Sequence, residues 1–95
     1  MFDWDPRKAQ SNWRKHGVSF EEAATAFLDP DGLDGEDLEH YKSEARRLRL
    51  AKGRLGRVVL TAYTIRRRND EEITRIISAR RASRKERKRY EVKED

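Results

Sequence analysis

Apolar residues recur with a helical period between residues 6 and 28 and with the two-residue period of a strand from Glu44 onward. Trp4 is strand-like, and Asp5-Pro6 then offers an N-cap followed by proline at the first helical position. This predicts a helix through His16, with Ala9 and Trp13 on one face and Gly17 in the left-handed position that closes it. Ser19-Phe20-Glu21-Glu22 is a capping box for a second helix, which Ala23, Ala24, Phe27 and Leu28 continue until Asp29-Pro30-Asp31-Gly32 breaks it. Val18 is placed to staple onto Ala23. The segment from Leu33 to Ser43 is acidic, contains Gly35 and keeps no period, so it predicts a loop with room for one helical turn.

Beyond Glu44, Leu48 and Leu50 alternate against Arg47, Arg49 and Ala51. Val58 to Ile65 is rich in β-branched and aromatic residues, as a central strand covered on both faces requires. Gly53 and Gly56 fall in the turn between them, and Arg67 to Glu71 connects to a third strand, Ile73 to Ala79. Three consecutive strands most simply form an antiparallel meander. Ser83 with Glu86 three residues later is a capping box for a last, basic helix. The order strand, helix, helix, three strands, helix predicts an α+β domain: an antiparallel sheet with two N-terminal helices and one C-terminal helix.

Composition narrows this reading. A chain of 95 residues suits a single domain over residues 1–95. With 35% hydrophobic and 43% charged residues it would resemble a disordered chain if the apolar positions were scattered, but they are gathered into periodic segments. The absence of cysteine excludes a disulfide scaffold, a thiolate zinc site and a cysteine nucleophile, leaving two histidines as strong ligands, so neither a metal nor a cofactor is expected. The N-terminal Met1-Phe2-Asp3-Trp4-Asp5 is acidic where a leader would be basic, and no apolar run nears the roughly 20 residues of a membrane span. The default expectation is a cytoplasmic protein with no membrane partner.

The net charge of +5 is unevenly spread. Up to Glu44 there are five Lys/Arg against eleven Asp/Glu, a net of −6, and from Ala45 there are eighteen against seven, a net of +11. A basic C-terminal part suits a polyanion, either nucleic acid or an acidic protein, and equally a solvated surface. The strongest chemistry lies at Arg80-Arg81, where the third strand runs into the basic helix. Planar guanidinium groups grip phosphate through paired hydrogen bonds. Strand alternation would send these two side chains to opposite faces, one to a site and one to an ion pair. In a meander, Arg66 ends the middle strand near its turn, so it need not approach Arg80 and Arg81 at the end of the next.

Trp4-Asp5, Lys8, Asn12, Lys15-His16-Gly17-Val18-Ser19-Phe20-Glu21-Glu22-Ala23, Asp29-Pro30, Glu44-x-Arg46 and Ile76-Ile77-Ser78-Ala79-Arg80-Arg81-Ala82 follow one another in this order. Through them the chain resembles the BrnT family, toxins of bacterial type II toxin–antitoxin pairs. The resemblance covers nearly the whole chain. It implies a RelE-like ribonuclease fold, translation arrest by RNA cutting, and neutralisation by a cognate BrnA-type antitoxin, with operator DNA bound by the complex through the antitoxin. The acidic stretch Asp31 to Tyr41 does not align by eye. Arg66-Arg67-Arg68 stands where the family has a single arginine, and Arg66 reads as the matching position with Arg67 and Arg68 as its alternatives.

Metal-independent RNA cleavage needs a base for the 2′-OH, stabilisation of charge on the phosphoryl oxygens, and an acid for the leaving 5′-oxygen. Arginine is always protonated, so Arg66, Arg80 and Arg81 suit the second task. The first and third fall to His16, Lys15, Glu86, Tyr90 or Lys8. Each has a competing structural use. His16 lies in the last turn before Gly17, where the helix dipole favours a cation. Glu86 is already explained by its capping box, and Tyr90, four residues on, can simply pack on the sheet. Lys8, Asn12 and Lys15 share one helical face, either a solvated stripe or a wall that contacts RNA. Glu44 and Arg46 can pair across the sheet, and His40 reads as solvated. The last helix, with Arg84 in its first turn, can bind RNA backbone or dock an acidic antitoxin segment. The alternative class is a non-catalytic module that binds nucleic acid or a partner through this basic face.

Overall fold

In the computed structural model, which describes residues 1–40 and 45–94, ten short elements follow one another. Strand β1 (Phe2–Asp3) leads into helix α1 (Pro6–His16) and helix α2 (Phe20–Thr25), which ends in a 3₁₀ turn at Ala26–Leu28. Strand β2 (Leu33–Glu36) and a 3₁₀ turn at Leu38–His40 precede strands β3 (Arg47–Lys52), β4 (Val58–Arg68) and β5 (Glu71–Arg81), and helix α3 (Arg84–Glu94) closes the chain. None of these helices is long and apolar enough to cross a membrane.

The helix boundaries follow from local chemistry. Asp5 accepts a hydrogen bond from the Arg7 amide at 2.9 Å, Pro6 takes the first helical position, and Gly17 closes α1 at φ 66°. Ser19 caps α2 through the Glu22 amide at 2.9 Å. Only that half of the expected box forms, because the Glu22 carboxylate is committed elsewhere: both its oxygens accept from Arg57 at 2.8 Å, and Arg57 also donates to the Gly17 carbonyl. Glu22 is 1% exposed, a depth at which a carboxylate needs such a partner. The hydrogen bonds to Glu22 hold the Arg57 guanidinium above its ordinary pKa.

The five strands are ordered β1-β5-β4-β3-β2. The predicted meander β3-β4-β5 is present and antiparallel, with β4 central. Its second turn is tighter than the Arg67 to Glu71 connection expected, because Asn69 and Asp70 take φ of 52° and 67°, the left-handed pair of a two-residue hairpin. Two features correct the expectation. β1 joins β5 in parallel, so the sheet is mixed, and Leu33 to Glu36, read as loop, is an edge strand. β2 exists through its neighbour: Asp34 faces Arg49 and Glu36 faces Arg47 across the pair. Gly32 precedes it for a steric reason, since a Cβ there would lie 2.4 Å from the Arg49 guanidinium carbon.

The sheet carries a core on each face. On one, Val18, Phe20 and Ala23 from the α1–α2 region pack against Val59, Ile76 and Ala79. On the other, α3 lays Tyr90 on Leu50 and Val58, with Leu33, Leu60 and Ala82 around it. Trp13 does not share the buried side of Ala9 as its spacing suggested. It is 56% exposed, and the α1 residue buried instead is Asn12.

Candidate active site

Asn12 fixes where α1 meets the sheet. Its amide donates to the Val18 and Ala79 carbonyls at 2.9 and 2.8 Å and accepts from the Ala79 amide at 3.0 Å. β1 pairs with β5 only at Thr74 and Arg75, so at Ala79 the Asn12 side chain supplies the bonds a neighbouring strand would otherwise make. This corrects the expectation that Asn12 contacts RNA: at 6% exposure it is a clamp. One helical turn further on, the clamp sets His16 beside the end of β5.

There His16 lines a cleft of about 660 Å³ on the α3 face of the sheet. Leu48, Leu60, Ala62 and Ser78 form its floor, with Arg80 and Glu86 at the α3 end. Arg46 and the acidic run Glu36, Asp37 and Glu39 complete it. Charges of both signs thus meet in the cleft. The buried Nε of Arg46 has no hydrogen-bond partner among the described residues, which is costly for a guanidinium N–H.

Arg80 and Glu86 form a bidentate pair, with Nη1 and Nη2 donating to the two carboxylate oxygens at 2.9 and 3.0 Å. The second capping box is complete: the Ser83 amide donates to Glu86 at 2.8 Å and the Glu86 amide to Ser83 Oγ at 3.1 Å. Arg80 above all, then the Ser83 amide, lower the Glu86 pKa against the opposing effect of burial. Glu86 is therefore a poor base and a good anchor, and it holds the Arg80 fork at the cleft.

The remaining expected site residues are not gathered here. Arg81 pairs across the sheet with Val59 of the α1–α2 core, whereas Arg80 pairs with Leu60 of the α3 face, so alternation does separate the two arginines. It is Arg80, however, that both lines the cleft and makes the ion pair. Arg66 faces Ile73 near the hairpin, six positions along β4 from Leu60 or about 20 Å at about 3.4 Å per residue. Lys8, Lys15 and Arg84 are exposed and none lines the cleft.

Tyr90 has a structural task. It is 2% exposed, and its hydroxyl donates to Asp29 Oδ2 at 2.5 Å. Burial would raise the Asp29 pKa, but hydrogen bonds from Tyr90 and from the Lys52 and Asp31 amides outweigh it and hold the carboxyl below its ordinary range. Asp29-Pro30 thus ties α3 to β3 and to the turn after α2. Glu44 and the His40 side chain lie outside the described residues. Arg46 and the acids Glu36, Asp37 and Glu39 are among the cleft residues that sequence reasoning left out of the site. Arg46 stood in the Glu44-x-Arg46 pattern, while Asp37 had no signal in a run of acids. Among the described residues no group of three or more His, Asp or Glu is arranged to hold a metal ion.

Fold and cleft together define a small α+β domain with arginine and histidine chemistry at one end of a mixed sheet. Residues 4–86 match the family model described as the ribonuclease toxin, BrnT, of type II toxin–antitoxin systems, and the chain belongs to that family. Its fold is similar to the crystal structure of the Brucella abortus ribonuclease toxin BrnT, with a TM-score of 0.55 at 22% identity over 88% of this chain and 99% of that one. No curated protein matches the sequence.

Proposed function

We propose that this chain is an endoribonuclease toxin that cuts RNA without a metal, arrests translation, and is neutralised by a BrnA-type antitoxin whose complex with it binds operator DNA. The observation that carries the reading is the meeting of His16, Arg80 and Arg46 in one cleft, within a member of a ribonuclease toxin family. A scissile phosphate held there would take, on its non-bridging oxygens, the N–H groups of Arg80 that Glu86 does not engage and the cleft side of the Arg46 guanidinium, where charge grows in the transition state. His16 is the proton-transfer group of the cleft, able to take the 2′-OH proton or to protonate the leaving 5′-oxygen. Glu86 acts through Arg80 as a positioning residue, and Tyr90 through the seating of α3. Arg81, Arg66, Arg84, Lys8 and Lys15 extend the RNA contact outward as phosphate contacts.

The test is cleavage of an oligoribonucleotide by purified protein in EDTA. Wild type should cut, His16→Ala should lose about 10² to 10⁴-fold as a positioned proton-transfer group does, and Arg80→Ala about 10² to 10³-fold. If both variants cut as fast as wild type, the cleft is not the active site. If EDTA abolishes wild-type cutting, the metal-free mechanism is wrong.

A further inference from the structure

Three hollows on the α3 face join into one groove. The cleft shares Leu48, Leu60, Glu36 and Glu86 with a hollow of about 240 Å³ between α3 and β2. That hollow shares Leu33 and Arg89 with a third, of about 520 Å³, bounded by Lys85, Lys88 and Val92 on the outer half of α3. The floor is aliphatic, made of Leu33, Leu48, Leu50 and Leu60. The α3 wall is basic: between Arg84 and Glu94 it holds six Lys/Arg and three Glu, a net of +3. On the β2 side lie Leu33 and Glu36, while the Asp34 carboxylate is turned away to Arg49 and Tyr63.

This is a poor track for single-stranded RNA. Such tracks stack bases on aromatic rings along a continuously positive groove. The two outer hollows have no aromatic lining residue, and on the β2 side they offer a leucine and Glu36 where a continuous positive track would need cations. A peptide fits better. Apolar side chains can cover the leucine floor and Val92, which is 65% exposed, while carboxylates meet Lys85, Lys88 and Arg89.

We infer that this groove is the docking site for an acidic, apolar-anchored segment of the antitoxin, an inference that rests on the toxin reading above. The segment lies along α3 over the leucine floor, and its inner end reaches Glu86 and covers Arg80. Binding and neutralisation are then one event, because the groove opens into the cleft.

The test uses the full chain and the protein encoded beside it, with the Lys85→Glu/Lys88→Glu double variant and, separately, Val92→Asp. These positions are exposed and outside the cleft, and circular dichroism should report a wild-type fold. Each variant should weaken the complex at least about tenfold in Kd while oligoribonucleotide cleavage by the free toxin stays within about threefold of wild type. A Kd change below tenfold, or a loss of cleavage as large as the loss of binding, overturns the inference even where wild type binds its partner and cuts RNA. If no neighbour-encoded protein binds wild type, the antitoxin reading falls and takes the docking site with it.

Discussion

Glu86 spends its acidity on holding Arg80, and this separates two roles a carboxylate beside an arginine can play. Because folding lowers its pKa from the ordinary 4.5, its contribution to stability is full above that value and is lost as pH falls through the folded-state value. The stability gap between wild type and Glu86→Gln should therefore be widest near about pH 7 and close toward about pH 3, as thermal melts across that range would read. In activity, Glu86→Gln should raise KM by loosening Arg80 and leave the acid limb of the kcat profile in place. Disappearance of that limb would make Glu86 the base after all. Asn12 presents the opposite case, a polar residue whose importance is wholly internal. Asn12→Ala would strand the Ala79 amide and carbonyl and the Val18 carbonyl, costing about 2–4 kcal/mol in urea unfolding. Asn12→Asp keeps the acceptor for the Ala79 amide and loses the donor, so its cost should be distinguishable by the same measurement.

At the scale of elements, the buried ring of Tyr90 seats α3 on the sheet, beside the Glu86–Arg80 pair at the start of the helix. Tyr90→Phe removes the hydroxyl that bonds Asp29 and should cost about 1–2 kcal/mol. Tyr90→Ala also empties the packing between Leu50 and Val58 and should cost about 3–5 kcal/mol, with faster hydrogen exchange along α3. A catalytic phenol would behave otherwise, losing cleavage in Tyr90→Phe with stability intact. Elements with causes inside a few residues were legible in the sequence: the Asp5-Pro6 start, Gly17, the Ser83–Glu86 box, the alternation of β3 and the apolar run of β4. Those set by distant partners were not. β2 shows no period because cross-strand charge pairs make it a strand. Glu22 looked like a capping glutamate until Arg57, 35 positions away, claimed it. The bonds from Asn12 to Ala79 and from Tyr90 to Asp29 span 67 and 61 positions. The site was half legible for the same reason: arginines at a strand end are visible chemistry, but which of them share a cleft depends on register and on the face each side chain takes.

For the whole molecule, register places Arg66 and Arg80 near opposite ends of the central strand. RNA cleavage at saturating substrate should therefore stay within about threefold of wild type in Arg66→Ala, about 20 Å from the proposed scissile phosphate. Any loss there should appear in affinity and its salt dependence, about 0.7 off the log–log slope for each phosphate contact removed on a single strand. A deep loss of turnover in Arg66→Ala would require the RNA or the hairpin to bend back across the sheet. The same long view gives Asn12 a second consequence. β1 shields two residues of β5, and further along this flank one side-chain amide occupies the hydrogen-bonding groups of Ala79. Take it away and the strand offers bare amides and carbonyls to whatever strand comes near, including the same strand of another copy. Solubility during expression should therefore depend on this internal clamp. An Asn12 variant should collect in the insoluble fraction at a temperature where the folded monomer is still stable enough to survive.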